Sequence, residues 1–223
     1  MVQEPNGTHR ATFHPTVAGK YSAHVSLVKP DGGKIPVIGS PFPIEIVAGP
    51  VLAANCKAEG KGLEAGRVGD EGVFRIFAFD KFSNPIRHGG DVFEITIVGP
   101  ITVSITPFDC GDGSYNASYM ITKSGPYRIT ISVNSMQIVG SPFSVTLAEG
   151  DTHPSKTTLQ QATDDGTCGT NTVFSIQAHD VYGNPRKRGG DKFNTSFAPS
   201  QPNGMTIKGE VKDNGNGSYQ VSI

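Results

Sequence analysis

Gly39-Ser40-Pro41-Phe42-Pro43-Ile44-Glu45-Ile46 returns as Gly140-Ser141-Pro142-Phe143-Ser144-Val145-Thr146-Leu147, 101 positions further on. Glycine takes positive φ and turns the chain. Proline has no N–H for a ladder, so it suits the start of a strand and not its middle. After it, Phe42, Ile44 and Ile46 alternate with Pro43 and Glu45, as Phe143, Val145 and Leu147 do with Ser144 and Thr146. A period of two describes a strand with one buried face. The same strand-start device used twice marks a repeat with a period near 100.

Two further echoes keep that period. Asp80-Lys81-Phe82-Ser83-Asn84-Pro85-Ile86-Arg87-His88-Gly89-Gly90-Asp91-Val92-Phe93 matches Asp180-Val181-Tyr182-Gly183-Asn184-Pro185-Arg186-Lys187-Arg188-Gly189-Gly190-Asp191-Lys192-Phe193 at a spacing of 100. Gly7-Thr8-His9, Gly113-Ser114-Tyr115 and Gly217-Ser218-Tyr219 each open an alternating run. In this order the three signatures resemble the filamin-type immunoglobulin repeat. Gly-Ser-Pro-Phe before the last strand is that family's most recognisable mark. Asp213-Asn214-Gly215-Asn216-Gly217-Ser218-Tyr219 is similar to its turn before strand E. The resemblance covers nearly the whole chain. It implies an all-β chain of immunoglobulin-like β-sandwich repeats in tandem.

Composition agrees. The chain has 223 residues, with 28 Gly, 16 Pro and no Trp. Many turns and few long apolar runs fit a sandwich, and about 100 residues bury enough surface to fold without staples. No apolar run is long enough to span a membrane and no signal-peptide pattern is present. A net charge of −1 gives no reason to expect nucleic acid or anionic lipid as a partner. Cys56, Cys110 and Cys168 are odd in number and sit at different places in their repeats, so they read as reduced thiols in the cytosol and not as a recurring disulfide framework. Asn6, Asn116, Asn194 and Asn216 each begin an Asn-x-Ser/Thr sequon, which points the other way. Turn chemistry accounts for most of that excess.

Taken in order, residues 1–49 hold the last part of a repeat, strands E to G. His9, Ala11 and Phe13 alternate, then Tyr21, Ala23, Val25 and Leu27, then the Gly-Ser-Pro-Phe strand. Residues 50–150 hold a whole repeat. Strand A lies near Val51 to Cys56, and B near Val73 to Asp80 with Phe74, Ile76 and Ala78 inward. C turns Phe93, Ile95 and Ile97 inward, and D turns Ile101, Val103 and Ile105 inward. E offers Tyr115, Ala117 and Tyr119, and F offers Tyr127, Ile129, Ile131 and Val133. Residues 151–223 hold the first part of a third repeat, strands A to E, with Phe174, Ile176 and Ala178 on B, C after Asp191, D near Met205 to Val211, and Tyr219, Val221 and Ile223 on E. The two partial repeats together supply the seven strands of one. A fragment cut from a longer array is the simplest reading, with only the middle repeat folding firmly. Head-to-tail complementation between chains is the alternative.

Catalytic and metal readings fail on spacing. Asp109, Asp112, Asp213, Asn214 and Asn216 cluster in turns, but the order is wrong for an EF-hand loop, so they read as hairpin-turn residues. His9, His14, His24, His88, His153 and His179 show no metal-ligand spacing. Arg186-Lys187-Arg188 reads as solvated charge in the B–C connection. No Gly-x-Ser-x-Gly elbow and no phosphate loop is present, so no cofactor is expected and the chain reads as non-enzymatic.

The resemblance implies a rod segment of an actin cross-linking protein in the cytoplasm, with partner peptides adding a strand between C and D. That site maps to Val92, Glu94, Thr96 and Val98 on C and to Thr102, Ser104 and Thr106 on D, whose outward side chains are mostly small or β-branched. Actin is reached through a parent protein, because the family's helical actin-binding domain is not in this stretch. Alternatives are an extracellular adhesion protein of the gamete type or a tripartite-motif ubiquitin ligase that carries the same repeat. One mismatch adds a second candidate surface. Outward positions on B are Arg75, Phe77 and Phe79 in the middle repeat but Ser175, Gln177 and His179 in the third. Either Phe77 and Phe79 are covered by a neighbouring repeat or a partner, or strand B slips by one residue and they belong to the core.

Overall fold

The computed structural model describes residues 2–3, 5, 7–161, 169–198 and 204–223. Cys168, Asn6 and part of the expected third-repeat C–D connection lie outside the described residues.

The chain begins with short strands. β1 (Val2–Gln3) pairs β2 (His9–Arg10), β3 (Gly19–Ala23) pairs β6 (Phe42–Ile46), and β4 (Ser26–Val28) pairs β5 (Lys34–Pro36). The expected strand through Ala11 and Phe13 stops at Arg10, and Phe13 is exposed. Phe13 shares an open cleft with Tyr21 and Ala23 of β3 and Ile44 and Ile46 of β6.

The central part is a two-sheet sandwich. β7 (Lys57–Glu59), β8 (Gly66–Arg67), β9 (Glu71–Phe77), β10 (Phe93–Val98), β11 (Thr102–Ile105), β12 (Phe108–Asp109), β13 (Ser114–Met120), β14 (Gly125–Val133), β15 (Met136–Gln137) and β16 (Phe143–Ala148) build it. One sheet has the order β11-β10-β14-β16-β8, with β15 on β14, and the other has β12-β13-β9-β7. Each long strand alternates, so the inner faces meet. Phe74, Ile76, Phe93, Ile95, Ile97, Tyr115, Tyr127, Ile129, Ile131, Val145 and Leu147 form one buried core. Two mostly antiparallel sheets closing on one core make the arrangement of an immunoglobulin-like fold.

Two expectations need correction here. Strand A is not extended over Val51–Cys56. Ala53–Asn55 form a 3₁₀ turn, because the Leu52 carbonyl accepts the Asn55 N–H and the Asn55 side chain donates to the Asp80 carbonyl at 2.7 Å. Ile101 is 41 % exposed and outside the core, while Val103 and Ile105 pack against it as expected.

The last part starts with β17 (Thr158–Gln161) and β18 (Val173–Gln177). β19 (Ser196–Phe197) pairs β20 (Ile207–Lys208), and β21 (Glu210–Asp213) and β22 (Ser218–Ser222) follow. The order β17-β18-β22-β21 reproduces β7-β9-β13-β12. Phe174, Ile176, Ala178, Tyr219 and Val221 are buried together.

Candidate functional site

β10 and β11 carry the residues expected to meet a peptide. Glu94, Thr96 and Val98 lie on β10, Thr102 and Ser104 lie on β11, and Val92 and Thr106 lie just outside the two strands. All are exposed except Thr96, which is half-buried. β10 is not a free edge along its length. From Ile95 to Val98 it pairs with Ile105 to Thr102 of β11. On its other side it pairs with β14 already from Phe93, opposite Val133. Phe93 and Glu94 therefore have a ladder neighbour on one side only.

The cause is a change of sheet. β11 ends at Ile105, Pro107 offers no N–H, and the chain continues as β12 beside β13 in the opposite sheet. The two strands fork there. Val92, Glu94, Thr96, Ser104 and Thr106 line a shallow cleft of about 340 Å³ between them. Glu94 is the only charged residue in its lining. The cleft offers backbone groups and hydroxyls to an extended chain and no acid–base or nucleophilic pair for chemistry.

Phe77 and Phe79 sit elsewhere, on the outer face of the other sheet. Phe74, Ile76 and Ala78 are buried and the two phenylalanines half-buried, so the expected register of strand B holds and the one-residue slip does not occur. What lies over them comes from the same sandwich. The Arg75 guanidinium stands 5.5 Å from the Phe77 ring centre, and the Lys57 ammonium stands 5.7 Å from that of Phe79. Each cation faces an aromatic quadrupole and hides part of the ring. The fold does not bring these two rings to the β10–β11 fork.

Residues 50–144 match the family model described as the Filamin/ABP280 repeat. The chain carries a filamin-type repeat. Filamin-A of Drosophila melanogaster is 34 % identical over 157 residues, which is 70 % of this chain and 6 % of that protein. Filamin-C of Mus musculus is 34 % identical over 147 residues, 65 % of this chain and 5 % of that protein. The chain thus spans about a twentieth of the length of these curated relatives. The solved Escherichia coli adhesin FdeC superposes with a TM-score of 0.51 at 18 % identity, covering 90 % of this chain and 64 % of that one, and shares the fold.

The acidic turns are occupied by the chain's own backbone. Asp109 accepts the Gly90 and Gly111 N–H groups at 2.8 Å each, and Asp213 accepts those of Gly190 and Gly215 at 2.7 Å. Asp112 and Asn216 accept the Ser114 and Ser218 N–H groups. Bonds from the Ser114 hydroxyl and N–H hold the Asp112 carboxyl below its ordinary range. The Tyr115 hydroxyl accepts the Asp91 N–H at 3.0 Å, and burial pushes its pKa up to about 12. These groups cap turns.

The basic run differs from expectation. Lys187 and Arg188 are exposed, but Arg186 is 8 % exposed and donates to the Gly150 carbonyl, while Glu149 accepts the Lys187 N–H at 3.0 Å. Burial would raise the Glu149 pKa, but the Lys187 N–H and the nearby Arg186 charge lower it below the usual carboxylate range. The Gly150 carbonyl draws Arg186 inward.

Sequence reasoning missed two devices. Tyr21 and Tyr127 each donate their hydroxyl to a carbonyl four residues back, Val17 and Lys123, at 2.8 Å. This is the tyrosine corner of sandwich folds. The tyrosine two residues after Gly19 and Gly125 was the available signal. Asn84 and Asn184 make the second device, described below.

Proposed function

We propose that the chain is a non-enzymatic scaffold segment, part of the rod of a filamin-like actin cross-linking protein, that holds partners by taking an extended peptide as an added strand. Residues 1–49, 50–150 and 151–223 are then three successive units, the outer two partial. The observation that carries the binding site is the fork: Phe93 and Glu94 lack a neighbour on the β11 side, and a cleft lies there. An open strand edge is a template for a further strand. A peptide running beside Phe93 and Glu94 continues the β10 sheet where β11 leaves it. Its alternate side chains meet Val92, Glu94, Ser104 and Thr106. Actin is reached through the parent protein, and the setting is the cytoplasmic cytoskeleton.

The test is a titration of the isotope-labelled chain with extended peptides from cytoplasmic receptor tails, followed by backbone amide shifts. Perturbations centred on Val92 to Val98 and Thr102 to Thr106 are expected. Perturbations confined to other strands sink the reading.

A second reading, an extracellular adhesion module, rests on the sequons. Asn116, Asn194 and Asn216 are all exposed. Occupancy of these sites in the protein made through a secretory pathway and in its native source favours it. Unmodified asparagines in the native protein remove it.

A further inference from the structure

The turn Asp80–Asn84 ties three pieces of chain together. The Asp80 carboxylate accepts the N–H groups of Phe82 and Asn84 on Oδ1, and those of Gly49 and the Asn84 side chain on Oδ2, at 2.8–2.9 Å. The Asn84 amide, so oriented, reaches out of its own turn. Its Nδ2 donates to the Thr16 carbonyl and its Oδ1 accepts the Ala18 N–H, both at 2.8 Å. Thr16 and Ala18 flank Val17, the acceptor of the Tyr21 corner.

The same arrangement recurs 100 residues later. Asp180 accepts Tyr182 N–H, Asn184 N–H, Gly150 N–H and Asn184 Nδ2. Asn184 Nδ2 donates to the Thr122 carbonyl at 2.7 Å, and Oδ1 accepts the Ser124 N–H at 3.0 Å. Thr122 and Ser124 flank Lys123, the acceptor of the Tyr127 corner. Asn184 is fully buried and Asn84 is 9 % exposed.

The bond inventory of an amide separates two roles. A primary amide has two N–H donors and one carbonyl oxygen. Shaping its own turn takes one donor, the bond to the aspartate. The other donor and the oxygen serve only the preceding segment. The aspartate also pins the linker, through Gly49 or Gly150. Linker and corner loop are therefore held by one Asp–Asn pair at both places.

The second place has further contacts. A Cβ on Gly69, which has φ +83°, would overlap the Tyr182 ring, so that ring lies directly on the central sandwich. Arg67 of the sandwich pairs with Asp151 of the linker at 2.8 Å, and Arg186 approaches the same carboxylate oxygen at 3.8 Å. At the first place Ala48 and Ile86 stand where the second has Glu149 and Arg186, so the Asn bonds are the shared part and the flanks differ.

We infer that the Asp-x-x-x-Asn turn is a rigid joint: Asn84 and Asn184 each lock their segment onto the corner loop of the segment before it, in one fixed orientation, with Tyr182 on Gly69 as a second clamp at the later joint. The partner this turn fits is a tyrosine-corner loop presenting one carbonyl and, two residues on, one N–H. A chain of such joints is a stiff rod in which equivalent edges point in directions set by the joint and not by linker flexibility. The inference stands on the two sets of bonds and does not need the peptide reading.

Residual dipolar couplings on the full chain in a weakly aligning medium test it. Alignment tensors fitted separately to the central sandwich and to β17, β18, β21 and β22 coincide in the unaltered protein. In Asn184→Ala combined with Tyr182→Ala they diverge, while the amide shifts of β9 and β13 stay in place. Separate tensors in the unaltered protein, or a shared tensor in the double variant, overturn the joint. Should Asn184→Ala unfold the last sheet, Tyr182→Ala alone and Asn84→Ala at the first joint supply the reading. Tyr182 is 44 % exposed and outside the core, and Asn84 belongs to the larger sandwich. Loss of common orientation in either supports the joint, and retention in both overturns it.

Discussion

Tyr127 is 2 % exposed, and Tyr21, at the same place in the N-terminal hairpin, is 42 % exposed. Their local structures agree. Gly19 pairs with Ile46 as Gly125 pairs with Leu147. Gly39 and Gly140 take φ +86° and +82°, and Ser40 and Ser141 accept the Val25 and Ile131 N–H groups at 2.9 Å on their hydroxyls. The difference is the second sheet. β14 and β16 face β9 and β13 across the core, while β3 and β6 leave Tyr21 and Phe42 exposed. Local sequence makes the hairpin, and a facing sheet makes it core.

The largest separation comes from the corner tyrosines. Tyr127→Ala empties a core site and costs about 3–5 kcal/mol in urea unfolding of the central sandwich, whereas Tyr21→Ala changes it by less than about 0.5 kcal/mol. Equal losses would break the comparison. Next come Phe77→Ser and Phe79→Ser together. Each ring is half-buried under a cation, so the pair costs about 2 kcal/mol, measured by the same unfolding curve. No loss would mean the rings contribute nothing on the outer face. The strand-start serines follow. Ser141→Ala leaves the Ile131 N–H without its acceptor in a partly buried setting and costs about 1 kcal/mol. Ser40→Ala, in an exposed bond, costs only a few tenths, so thermal melts of the two variants should separate in that order.

Acid acts on the Asp80 and Asp180 turns. Burial would raise the Asp80 pKa, but bonds from the Asn84 side chain and from the Gly49, Asn84 and Phe82 N–H groups bring it down to about 2. The Asp180 pKa is lowered for the same reasons. A carboxylate depressed on folding adds stability above its unfolded pKa of about 4, and that contribution is lost as pH falls toward about 2. Acid titration followed by circular dichroism should show stability declining across that window. Asp80→Asn should flatten that dependence.

Much of the fold was legible because its signals are local. The Gly-Ser-Pro-Phe starts, the alternating strands and the Asp-x-x-x-Asn-Pro turns are each written within a few residues, and Phe74, Ile76 and Ala78 fell on the inner face as read. Strand A was not legible, because the bond from Asn55 to Asp80 that bends it spans 25 positions. Arg186 was misread as solvated, since nothing in Arg-Lys-Arg shows which carbonyl the first side chain will meet. The candidate edge was half legible. The outward residues of β10 and β11 were found by alternation, but their pairing from Ile95 onward, and the fork that frees Phe93 and Glu94, depend on where Pro107 sends the chain.

Native-state hydrogen exchange on the full chain tests most directly whether a facing sheet, and not local sequence, decides which hairpin is firm. Amides of β13 and β14 are expected to exchange only through global unfolding, and those paired between β3 and β6 orders of magnitude faster, through local opening. Equal protection of Tyr21 and Tyr127 amides in the monomeric chain would contradict the account.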